Sequence, residues 1–216
     1  MQEMFPEEEE TPSVTTLTAA ADGSISETIV DLFDKSYYDE TELGNLVDST
    51  VAEYNASAGT PAVTVDDYQT EEGRVVLKMT YADAAAYAGY NHVPFFNGSI
   101  LDAQMEGFLF LNDFRKVAKS EADPATISNA EPLSHKEYQV LITDLSHAVK
   151  VPGKIAYISA NANLADKGLV IPAAVEESPE EGLVLPSSAV YVQKKENTQL
   201  SDDEIEKTYM YVIYDQ

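Results

Sequence analysis

The chain contains no cysteine and no tryptophan, only three histidines, and 13 basic side chains against 38 acidic ones, for a formal charge of −25. Without thiols there are no disulfides, no thiolate metal sites and no cysteine nucleophile. The imidazoles His92, His135 and His147 form neither H-x-x-x-H nor H-E-x-x-H, so no transition-metal site is expected. The shortage of bases leaves no cationic stripe to release counterions from DNA or RNA, and an anionic lipid surface is repelled as well. Apolar runs such as GFLFL at 107–111 fall far short of the roughly 20 residues a membrane helix needs. Residues 1–5 lack the basic and apolar regions of an export signal.

What is present is an ordinary globular composition. With 216 residues and 44% hydrophobic side chains, the chain can build a core as one large domain or two small ones. The acids are unevenly spread. Residues 22–72 carry thirteen acids against Lys35 alone, whereas 112–167 are neutral with seven of each sign. Residues 1–13, with four consecutive glutamates between Pro6 and Pro12, read as a disordered acidic tether.

Beyond the tether the pattern predicts an α+β fold. Region 14–111 opens with a strand at 14–18, an Asp22-Gly23 turn and a strand at 25–33, with Ile25, Ile29 and Phe33 on one face. An amphipathic helix follows, with Asp39 and Glu42 as its capping pair and Leu43, Leu46, Val47, Val51 and Tyr54 as its apolar stripe; Gly59 and Pro61 close it. Val63 and Val65 begin a second hairpin that turns at Glu72-Gly73 and returns through Val75, Leu77, Met79 and Tyr81. Two short helices are expected next, one over 81–88 capped by Thr80 and one over 100–106 capped by Ser99, with an apolar loop at 90–98 between them. Residues 112–135 read as a boundary or connecting loop. Region 136–216 is β-rich, with strands at 138–143, Val149 and Val151, 155–160, 169–171, 189–193 and 208–214. Ser201 and Glu204 form a capping box ahead of the last strand. Strands and helices do not alternate regularly, which argues against a parallel βαβ fold.

No catalytic motif emerges. The chain has no G-x-S-x-G elbow, no S-x-x-K and no glycine-rich phosphate loop, and no cofactor is implied. A carboxylate pair for glycoside hydrolysis needs only two acids in a cleft, so that activity stays as the alternative. Tyrosine is the enriched residue, thirteen in all. It suits a binding surface, because it offers wide contact with a polar tip, and it suits a half-buried sheet face equally well. Tyr90, Phe95 and Phe96, in the apolar loop, are the candidate ligand-binding residues. The competing reading places the two phenylalanines in the core.

The segments TTLT at 15–18 and GSISETIVDLFDKSYYD at 23–39 resemble the start of the mature region in a family of acidic surface lipoproteins of Gram-positive gut anaerobes. The helix at 42–55, the closing strand at 208–214 and the acidic leader are similar too. The resemblance implies an extracytoplasmic protein held at the cell surface by a lipidated cysteine that would precede this chain. It implies no reaction and no catalytic residues. The expected function is therefore a non-catalytic binding or interaction module for a surface ligand or protein. A surface hydrolase or glycan-processing accessory, a structural spacer in the envelope, and a cytoplasmic location are the alternatives.

Overall fold

A computed structural model describes residues 14–71, 73–165, 168–173, 176–178, 182–184, 205 and 207–216. The expected tether at 1–13, the strand at 189–193 and the Ser201–Glu204 capping box lie outside the described residues.

The first hairpin pairs β1 (Thr16–Ala19) with β2 (Ile25–Leu32) around a turn in which Asp22 accepts from the Ser24 amide at 3.0 Å and from its hydroxyl at 2.7 Å. Gly23, at φ 91°, supplies the left-handed step. Helix α1 (Glu40–Ala58) follows, its Asp39 carboxylate accepting from the Glu42 amide at 2.9 Å and Gly59 ending it in the left-handed region. Asn55 then fixes the exit. Its side chain accepts from the Ala62 and Val63 amides, both at 2.9 Å, and donates to the Val63 carbonyl at 2.8 Å. The second hairpin, β3 (Val63–Glu71) and β4 (Arg74–Tyr81), lies beside β2, and β4 alternates buried and partly exposed along its length.

Helix α2 (Ala84–Asn91) starts later than the sequence suggests. Thr80 stays in β4, donating to Asp66 at 2.7 Å, and Asp83 caps the helix by accepting from the Ala86 amide at 2.8 Å. The expected loop at 90–98 is replaced by the end of α2, its cap His92, and strand β5 (Phe95–Ser99). Ser99 caps α3 (Ile100–Met105) as expected. Residues 112–135 are not a connecting loop: they hold the hairpin β6 (Phe114–Ala118) and β7 (Glu121–Ile127) and a 3₁₀ turn (Pro132–Ser134). The remaining strands are β8 (Gln139–Thr143), β9 (Ala148–Lys150), β10 (Lys154–Ser159), β11 (Ala162–Leu164), β12 (Val170–Pro172), β13 (Glu176–Ser178), β14 (Gly182–Val184) and β15 (Met210–Asp215).

These strands form two main sheets, ordered β11-β12-β9-β1-β2-β4-β3 and β5-β8-β15-β10-β6-β7, with β13-β14 as a separate pair. The sheets pack face to face. Leu17, Ile25, Leu77 and Met79 from the first share a core with Leu141, Ile158 and Val212 from the second. The opposite face of the second sheet buries Phe114, Ile142, Tyr157, Tyr211 and Ile213 against Phe110 and the Ile100 and Ala103 side chains of α3. Both sheets draw strands from both halves of the sequence: β1 pairs with β9 in parallel, and β5 with β8. The observed architecture is α+β, with an N-terminal hairpin and helix followed by a strand-rich C-terminal half.

Candidate functional site

The sequence's candidate residues turn inward. Phe95 and Phe96 are neighbours on β5, so their side chains leave by opposite faces of the sheet. Phe95, 8% exposed, packs in the inter-sheet core with its ring 4.6 Å from Tyr87. Phe96, 7% exposed, joins the second core beside Phe108. The pair forms no exposed patch, and the competing core reading describes them correctly. Tyr90 is half-buried. Its ring lies 5.5 Å from Tyr54 and 5.9 Å from Tyr81, and its hydroxyl is 3.0 Å from Thr50 Oγ1. It ties α1 to the body of the fold.

That tie matters because α1 buries none of its residues completely, and Leu46 on its apolar stripe is 57% exposed. A helix held by so few buried contacts opens locally before the sheets do. Tyr90→Ala is expected to speed amide exchange over Glu40–Ala58 about tenfold while leaving β15 unchanged. Hydrogen-exchange mass spectrometry measures both segments, and equal protection of α1 in the two proteins would refute the tie.

The most concentrated group of titratable side chains lies inside the sandwich. Glu27 sits on the inward face of β2, across from Leu17 on one side and Met79 on the other, and is 3% exposed. Tyr81 donates to its Oε2 at 2.7 Å, Tyr87 donates to Oε1 at 3.5 Å, and His147 Nε2 stands 3.7 Å from Oε1. Behind the imidazole, the Ser146 hydroxyl donates to Asp144 and lies 2.7 Å from His147 Nδ1. With its proton committed to Asp144, Ser146 accepts from Nδ1–H. Burial raises the Glu27 carboxyl above its usual range, opposed by the His147 charge and the two tyrosine hydroxyls. The Tyr81 and Tyr87 hydroxyls are pushed up by burial and then by the Glu27 charge. Asp144 and Ser146 are buried too. The group satisfies a buried acid, with His147, whose side chain is 19% exposed, as its most accessible member.

Accessible chemistry of a different kind lies where β2 ends. Phe33 donates its amide to the Gly73 carbonyl, holding the chain against the tip of the β3–β4 hairpin. From there Leu32 is 62% exposed and Tyr37 77% exposed. Phe33 stacks on Tyr38 with ring centres 4.9 Å apart, and Tyr37 meets Tyr38 edge-on at 5.0 Å. The result is a three-ring ledge, Phe33, Tyr38 and Tyr37, beside Asp31, Asp34, Asp39 and Glu40, all exposed. Tyr37 and Tyr38 are adjacent in the sequence; their stacking on Phe33 and their exposure come from the fold.

Among the described residues no cluster of three or more His, Asp or Glu side chains is placed to hold a metal ion, and no helix is long and apolar enough to cross a membrane. Comparison of the chain with protein-family models, with curated proteins and with solved structures finds no match.

Proposed function

We propose that this chain is a non-catalytic binding module, carried outside the cytoplasm on a lipid anchor and meeting a protein partner through the Phe33–Tyr37–Tyr38 ledge. The observation that carries the reading is the exposure of Tyr37, at 77%, on a preformed stack of rings. Tyrosines held by neighbours contribute wide contact area with little ordering entropy left to lose. The acidic rim favours a partner of basic chemistry. Residues 22–72 hold thirteen acids and one base, so the complement is a surface with aliphatic or aromatic side chains ringed by Lys and Arg.

The test uses a peptide array of basic, aliphatic-rich sequences alongside a glycan array. The wild type is expected to bind basic peptides with an affinity that falls as salt rises, and Tyr37→Ser with Tyr38→Ser to weaken it about tenfold or more. Equal binding by the double variant, or capture of glycans alone, would overturn the assignment. The location is tested separately by the intact mass of the native N-terminus. A diacylated cysteine ahead of this chain is expected, and an unmodified start in the cytosolic fraction would remove the surface reading.

A further inference from the structure

At the opposite edge of the sandwich from α1 and β3, the last strands of the two sheets, β7 and β11, face each other across a groove of about 400 Å³. Arg115, Ser120, Glu121 and Asn163 supply its polar wall, and Ala122, Leu164 and Ala165 the rest. Arg115 donates from Nη2 to Asn163 Oδ1 at 3.0 Å, while its Nε, closed off from solvent, has no partner. In a chain with 38 acids, this partly buried guanidinium has no carboxylate within 4 Å among the described residues; the neighbouring cation Lys116 is spent on Glu131 at 2.9 Å. A guanidinium partly withdrawn from water and without a paired carboxylate keeps hydrogen-bonding capacity at its Nη groups, which an incoming carboxylate can take up.

The rest of the wall narrows the ligand. Because Asn163 offers its carbonyl to Arg115, its amide N–H groups remain as donors, with the Ser120 hydroxyl beside them. Among the described lining residues Glu121 is the one acid, and it repels a simple anion. We infer that the groove is a binding site for a small zwitterion of the α-amino-acid type, its carboxylate against Arg115 and Asn163 and its ammonium against Glu121. Such a ligand carries no net charge, so the −25 field of the protein does not oppose its approach. This region is also the one where the sequence is electrically balanced, seven acids to seven bases over 112–167. The inference stands on the groove and is independent of the aromatic ledge.

The experiment follows the Arg115 Nε–H and the Ser120 and Asn163 amides by ¹⁵N–¹H NMR of the full chain. Four probes are titrated: alanine, N-acetylalanine, alaninamide and dialanine. Alanine is expected to give saturable shifts at Arg115 with a Kd of about 1 mM. N-acetylalanine, lacking the ammonium, and alaninamide, lacking the carboxylate, are each expected to bind about tenfold more weakly. Dialanine distinguishes the source: tighter binding than alanine assigns the groove to a short peptide, weaker binding to a free amino acid, and both keep the zwitterion. Arg115→Met is expected to abolish the shifts from alanine, and Glu121→Gln to erase the preference for alanine over N-acetylalanine. Absence of a saturable shift at Arg115 with alanine and dialanine, or equal binding of alanine and alaninamide, overturns the inference. The probe comparison on the wild type decides this whether or not Arg115→Met folds.

Discussion

A Glu27→Gln variant is expected to match the wild type at about pH 4 and to exceed it in stability by about 1–3 kcal/mol near pH 8. Burial raises the folded-state value of Glu27 above its ordinary 4.5. A raised acid favours folding while it is protonated in both states, and that advantage is lost as pH rises from about 4.5 through the folded value. Glutamine keeps the geometry of the protonated acid: its oxygen accepts from Tyr81 and its amide donates toward His147 Nε2, with no charge to desolvate. Repulsion among the exposed acids is common to both proteins and cancels in their difference. Urea unfolding across pH 4 to 8 measures it, and the melting temperature should differ by about 2–4 °C per kcal/mol in a chain of this size. A deficit of the variant that is absent at about pH 4 and grows as Glu27 ionises would show instead that the Glu27–His147 ion pair stabilises the fold.

Gly153→Ala is expected to destabilise by about 3 kcal/mol, lowering the melting temperature by about 6–12 °C. Gly153 precedes β10 in the turn from β9, directly beneath β15. A Cβ there would overlap the Asp215 carbonyl oxygen and fall 2.8 Å from both the Asp215 carbonyl carbon and Tyr214 Cδ2. Two of those atoms are backbone, which cannot swing away as a side chain does, so β10 and β15 must part. The same substitution at Gly44 should have the opposite sign. Its Cβ would rest at an ordinary 3.5 Å from Tyr68 Cε1 within α1, and alanine in a helix interior gains about 0.5–1 kcal/mol over glycine. Thermal melts of both variants give the comparison, and a Gly153→Ala protein melting with the wild type would mean that the turn relaxes freely.

Local patterning reads well where contacts are local. The Asp39 cap, the Gly59 stop and the alternation of Val75, Leu77, Met79 and Tyr81 all stand in the sequence, and the structure places them as expected. The same parity already put Glu27 on the face of Ile25 and Ile29, and taking it at its word would have marked a buried acid. The strands that escape are those whose character comes from distant partners. β7 carries Pro124 and four other residues with little strand preference, and β11 is three residues long; each exists because β6 or β12 pairs with it. Phe95 and Phe96 looked like one apolar patch because adjacent aromatics suggest a loop, whereas a strand buried on both faces needs apolar residues in both parities. Arg115 has no local mark at all, since its role depends on Asn163, 48 residues away.

The position of β15 has a consequence for how the chain is made. Met210–Asp215 runs between β8 and β10, and its two ladders are what join β5 and β8 to the rest of their sheet. A ribosome delivers this strand long after β8 and β10, so the earlier strands wait with their inner faces uncovered. The sheet is therefore completed only once β15 has been made: until then the nascent chain stays open, a substrate for holding chaperones and for any machinery that threads unfolded polypeptide.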